Sequence, residues 1–186
     1  MESTEKFQER LKRVDMHDYF LHRIGVAMNE GNYIEASWLI YSCLENRYFR
    51  TVMKYREKCK YCRSKSKCNK TDKNELALKT KISCVERLYQ AGVPCIAGAY
   101  ESNIFKETKD WVDERNDLMH DLLSLECYEN ADDRFKESAE KGEILLDKTY
   151  IYCTKFRKLF YEDGYQFVMP EDAAEKCSCK PKKGNN

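Results

Sequence analysis

Glycine and proline are scarce in this chain, with seven Gly and three Pro among 186 residues. Folds built from many strands need tight turns, and those two residues supply them, so the scarcity argues against a sandwich or barrel. Few segments alternate polar and apolar residues with period two. Long apolar runs are missing as well, and no run nears the roughly 18 residues that span a bilayer. The first fifteen residues, MESTEKFQERLKRVD, lack the apolar centre of a secretory signal. A cytoplasmic protein with no membrane contact is expected. Its ten cysteines then read as reduced thiols or metal ligands rather than disulfides. Charge of one sign is not in excess either: the net charge is +1. Any affinity for nucleic acid must therefore come from local patches. The chain has no Gly-rich phosphate loop, no serine nucleophile elbow, no paired-carboxylate glycosidase pattern and no HExxH zinc motif.

What is present is helical periodicity. Aromatics make up 12% of the chain, 13 of them Tyr, which suits a packed core and not a disordered chain. The spacing of Phe7, Leu11, Val14, Leu21 and Met28 predicts a first helix over about 4–29. Gly31-Asn32 breaks it. A second helix is predicted from about Tyr33 to Glu57, with Ile34, Trp38, Tyr41, Leu44, Tyr48, Val52 and Tyr55 as its apolar seam. The short connection makes the two antiparallel. A third is expected at about 73–91, ended by Gly92 and Pro94, and 92–103 reads as a loop. A fourth covers about 103–126. The acidic stretch 126–143 follows, with Gly142 as an interruption, and a last helix runs to about Asp163 with Leu145, Tyr152, Phe156 and Leu159 on one side. The expectation is an all-α antiparallel bundle forming one domain over 1–170, with a Cys-rich basic insert at 54–84 and a mobile tail at 171–186.

On the fourth helix, the stretch ERNDLMHDL (114–122) carries polar chemistry into an apolar stripe. At 100° per residue, Ile104, Thr108, Trp111, Leu118, Leu122 and Leu125 share one face, and Arg115 falls on it. A guanidinium aimed at a core is costly unless it is paired or meets a partner surface. Asp113, Asn116, Asp117, His120 and Ser124 lie on the adjacent face, where Asn116 and His120 are one turn apart and meet. RNA can be cut without a metal when its 2′-OH attacks the neighbouring phosphate. A histidine moves the proton, and an arginine offsets charge on the phosphate. One histidine is thin for both acid and base roles, and a two-fold homodimer would bring two copies into one cleft. The bland alternative is a solvated face, with Asp117 or Asp121 pairing with Arg115.

RNDLMH resembles the motif of HEPN domains, an arginine and a histidine with four to six residues between them, with a polar residue directly after the arginine. GNYIEASWLIYSCLE (31–45) resembles the turn and second helix of that family, and WVDERNDLMHDL its motif helix. The resemblance spans most of about 4–163. It implies an α-helical, usually dimeric protein, and a metal-independent endoribonuclease of toxin or phage-defence type that leaves 2′,3′-cyclic phosphate ends. Arg115 and His120 would be catalytic and Asn116 would support them, with an antitoxin or defence-system subunit as a further partner. Two features depart from the family. Leu122 stands where one toxin branch carries a modifiable tyrosine, and the Cys-rich insert lies outside the minimal pattern.

That insert, KYREKCKYCRSKSKCNK (54–70), holds eight Lys or Arg against one Glu. Lys60, Arg63, Lys65 and Lys67 are candidate RNA-backbone contacts, and Tyr61 can stack on a base. Cys59 and Cys62 form a CxxC knuckle, Cys68 follows, and Cys84, near a helix start, completes a tetrahedral structural zinc set. Cys43, Cys95, His17 and the Cys177/Cys179 pair are alternatives for the fourth ligand. Free thiols or a Cys59/Cys62 redox pair are the alternatives to zinc. Cys43, Cys127 and Cys153 read as small core residues. His17 and His22 are second-tier cleft candidates, and the aromatics of the second helix read as core or dimer seam. Two rivals to the nuclease remain: a non-catalytic RNA- or protein-binding module of the same fold, and a zinc-stabilised nucleic-acid adaptor.

Overall fold

The computed structural model describes residues 4–58, 77–122 and 131–162, and these are helical but for their connections. Six helices are described: α1 (Thr4–Asn29), α2 (Tyr33–Lys58), α3 (Leu78–Gln90), α4 (Pro94–Ala97), α5 (Ser102–Asp121) and α6 (Ala131–Glu162). The all-α expectation holds. The 92–103 segment is not simply a loop, because Pro94, preset for a first helical turn, starts the short α4. Both ends of the 54–84 stretch are helical, in α2 and α3, while the residues between them lie outside the described residues, as does the tail.

Glycine works at two helix ends. Gly31 and Gly92 have φ of 75° and 68°. The amide after each reaches back five residues, Asn32 to the Ala27 carbonyl at 2.8 Å and Val93 to Leu88 at 3.1 Å. Those bonds close a left-handed helix terminus that a side chain at the glycine would strain. At α1 the chain then reverses. Ala27 packs beside Ala36, and His17 meets Arg47, so rising numbers on one helix face falling numbers on the other, and the pair is antiparallel.

Gly142 does not interrupt anything. It lies inside α6, where Trp111 of α5 covers it. A Cβ there would come within 2.6 Å of the indole, and the indole N–H donates to the Ser138 carbonyl at 2.8 Å. The missing side chain is what lets a tryptophan lie against a helix backbone.

Side-chain pairs give the directions of the other helices. On α5 and α6, Glu107 pairs with Lys148, Glu114 with Lys141 and Asp121 with Arg134, so those two are antiparallel. On α3 and α5, Lys79 pairs with Asp113 and Glu86 with Lys109, again antiparallel. Helices α2 and α6 are different: Arg47 meets Tyr150, and Thr51 meets Cys153. Numbers rise together, so these two run parallel. The bundle is thus antiparallel between α1 and α2, α3 and α5, and α5 and α6, but not throughout. The reason is topological. The connection from α2 to α6 passes through α3 to α5, and such a path can deliver either direction, whereas a three-residue turn can only reverse the chain.

One core fills the centre, with Trp111, Tyr48, Phe105, Phe135 and Phe156 its largest fully buried side chains. Two of its hydroxyls and a thiol form a chain: Thr51 Oγ1 lies 3.0 Å from Tyr100 Oη, which lies 3.4 Å from Cys153 Sγ. Cys43 and Cys153 are core residues as expected, and Cys127 lies outside the described residues. The seams on α1 and α2 hold in part: Leu44 and Tyr48 are buried as expected, Ile24, Ala27 and Ile40 are buried with them, and Leu21, Ile34 and Trp38 are exposed. Several residues of a wide apolar arc are interchangeable by periodicity alone, and packing partners choose among them.

Candidate functional site

Helix α5 presents three faces. Its outer carboxylates at 107, 114 and 121 are engaged by α6 at seven-residue intervals, and Asp113 by Lys79 of α3 at 2.7 Å. The buried stripe is the predicted one: Ile104, Thr108, Trp111, Arg115 and Leu118. Glu107, Asp113, Glu114 and Asp121 are thereby committed to α3 and α6, while Arg115 turns toward α2.

Arg115 is 6% exposed. Its guanidinium lies against two aromatic rings of α2, 4.6 Å from the Trp38 centroid and 5.1 Å from that of Tyr41. Nη1 donates to Asn116 Oδ1 at 3.2 Å. Nε and Nη2 are buried and have no hydrogen-bond partner among the described residues. Burial pulls the guanidinium below its usual pKa, and the Tyr41 hydroxyl offsets part of that. An arginine still stays charged. The expected alternative, pairing with Asp117 or Asp121, does not occur, since Asp121 accepts from Arg134 at 3.2 Å instead.

Asn116 is half-buried and holds Arg115 rather than His120. The one-turn spacing had placed the amide against the imidazole, but the buried cation is the stronger donor and sits within reach. His120 is exposed, in the last turn of α5. The three residues therefore form a graded end of one helix: a buried cation, a half-buried amide and an exposed imidazole.

The second helix contributes what the periodicity could not assign. Trp38 is 52% exposed, with Arg115 against its ring. Tyr41 is half-buried beside it, while Tyr48 alone of the seam's aromatics is fully buried among the described side chains. Trp38 and Tyr41 are three apart on α2, as are many core pairs, so nothing in the spacing marks them as partners of Arg115.

The other candidates separate. Lys60, Arg63, Lys65, Lys67, Cys59, Cys62 and Cys68 lie outside the described residues. Cys84 is half-buried in the middle of α3, not near its start. Cys43 and Cys95 are buried. Among the described residues no three His, Cys, Asp or Glu side chains come together in a metal-holding group. His22 is exposed, and His17 packs against Arg47 and Tyr150, away from α5. No described helix is long and apolar enough to cross a membrane. No protein-family model matches the chain, and neither a curated protein nor a solved structure matches it.

Proposed function

We propose that the α5 end is an RNA site, and that the protein is a metal-independent endoribonuclease of HEPN type working as a homodimer. The observation that carries this is Arg115: a charged side chain, 6% exposed, held by aromatic faces and one amide, with two nitrogens lacking acceptors. A cation kept for stability would be expected to have a carboxylate. Two unused N–H groups suit the non-bridging oxygens of a phosphate. His120, exposed on the same helix, would move the proton of the 2′-OH or of the leaving 5′-oxygen. Asn116 would keep the guanidinium in place. Trp38 offers its open surface to a base while Arg115 takes the adjoining phosphate. A two-fold partner would supply the second histidine that acid–base catalysis needs. Lys60, Arg63, Lys65 and Lys67 would draw RNA in. Cys59, Cys62, Cys68 and Cys84 would hold a structural zinc with no part in the chemistry. The biological setting would be a toxin or phage-defence system, with an antitoxin or another subunit as regulator.

The depth of Arg115 favours one second reading, a non-catalytic module of the same shape that binds RNA or a protein. Purified protein incubated with RNA in EDTA separates the two. Cutting that leaves 2′,3′-cyclic phosphate ends, and that is lost in a folded His120→Ala variant, supports the nuclease. RNA bound but intact across a broad panel supports the binding module.

A further inference from the structure

Helix α6 has a side that no described helix covers. Toward the core it turns Ala139, Leu146, Thr149 and Cys153, all buried. Toward α5 it turns Arg134, Lys141 and Lys148, each held by an acid. At 100° per residue, Glu137, Glu140, Ile144, Ile151, Lys155 and Lys158 share an arc of about 60° nearly opposite Leu146. All six are exposed. Ile144 is 58% exposed and Ile151 55%. A single apolar residue at a surface needs no partner. These two stand seven residues apart, the spacing at which one helix packs along another.

The charges around the isoleucines are ordered. Those toward the start of α6 are acidic and those toward its end are basic. Among the described residues, Glu137 and Glu140 have no ion-pair partner, and Lys141, one turn from Glu137, is taken by Glu114. Lys155 Nζ lies 5.9 Å from the centroid of the Tyr152 ring, with no described acid on it. The helix dipole favours this polarity only within the terminal turns. Glu140 and Lys155 stand well inside α6, which runs from Ala131 to Glu162.

A two-fold axis crossing the helix between Asp147 and Lys148 turns the pattern onto itself. Ile144 then lies level with Ile151 of a second copy, Glu140 with Lys155, Glu137 with Lys158, and Asp147, at the edge of the arc, with Lys148. A parallel pairing would set like charges together. A partner helix of one charge sign would suit only one half of the face.

We infer that the outer face of α6 is an interface between two copies of this chain, packed antiparallel about that axis. Ile144 and Ile151 form its apolar seam, and Glu140 and Lys155 pair across it at both ends. One pair of helices is a small contact, so the association depends on concentration. The inference does not rest on the α5 reading. Arg115 turns to α2, which packs on the inner side of α6. The α6 contact is therefore separate from the shared cleft, and a protein that makes both assembles beyond a dimer.

The test is sedimentation velocity of the full chain over a range of concentrations. The parent is compared with Ile151→Glu, Glu140→Lys, Lys155→Glu and the double variant Glu140→Lys/Lys155→Glu. All three positions are exposed, and thermal melts followed by circular dichroism show that each variant folds. The parent is expected to associate, and each single variant to associate about tenfold more weakly. The double variant should recover the parent's association, because the exchanged charges again face opposites. None of these substitutions touches Arg115 or His120, so absence of RNA cleavage would leave the α6 contact standing. Association equal in the parent and Ile151→Glu would overturn the inference. So would a double variant as weak as the single ones. A parent that stays monomeric, and that Ile151→Glu destabilises, would give the face to a segment of its own chain and overturn it as well.

Discussion

Arg115 shows how a single residue separates stability from function. Each buried donor without a partner costs about 1–3 kcal/mol, and the guanidinium leaves two of them. Its contacts with Trp38 and Tyr41 return about 0.5–2 kcal/mol each. The balance is near zero or unfavourable, so an apolar chain of similar length belongs there as far as folding is concerned. Arg115→Met is expected to melt at the same temperature as the parent or higher, while RNA cleavage falls by about 10²–10³. Calorimetry and the cleavage assay check the two halves, and retained cleavage would demote Arg115 to a packing residue. His17 gives the second prediction at this scale. Its folded pKa lies below 6.5, so the unfolded chain binds the proton more readily. The stability this histidine contributes is complete above 6.5. It declines as pH falls from 6.5 toward the folded value, and levels off below that. Urea midpoints measured in chloride from pH 8 to 5 should show this slope, and His17→Gln should flatten it. An unchanged slope in the variant would mean that carboxylates alone set the acid sensitivity.

At the scale of elements, α5 is aligned by its neighbours. The acids at 107, 114 and 121 meet basic residues at 148, 141 and 134, and each exposed pair contributes about 0–1 kcal/mol. Their value is in register, since a shift of one turn would part all three pairs. The strong contact is Trp111 on Gly142. Gly142→Ala places a methyl group within 2.6 Å of the indole, closer than packing allows. Helix propensity would favour the alanine by about 1 kcal/mol, but overpacking costs about 1–3 kcal/mol and the Trp111 bond to Ser138 is also displaced. The variant should unfold at lower urea with a shift in its tryptophan fluorescence. A variant as stable as the parent would show that α5 can slide without loss.

For the whole molecule, the proposed chemistry needs two copies. Each protomer brings one Arg115 and one His120, so a heterodimer with a His120→Ala protomer holds a single histidine in its shared cleft. Mixing His120→Ala protein in excess with the parent should therefore suppress cleavage, because most parent protomers then sit in heterodimers. Activity per protomer should also fall on dilution below the dimer dissociation constant. A monomeric species by sedimentation that still cuts at full rate would exclude the shared cleft.

Much of this protein was legible in its amino acids because helices are local. Periodicity placed α1 and α2 nearly to the residue, glycine placed the ends of α1 and α3, and 100° per residue put Arg115 on the buried stripe of α5 beside Trp111 and Leu118. Contacts between distant segments were not legible, because spacing along one helix carries no information about what packs on it. Gly142 read as a break because the covering indole lies on another helix. Trp38 read as core or dimer seam, and packing left it half-exposed against Arg115. His17 read as minor because Arg47 and Tyr150 come from elsewhere in the chain. The sequence by itself determined where the helices lie and which of them carry unusual charge. Only the tertiary structure decided that the Arg115 cation is buried without an acid, and hence where an anion would be welcome.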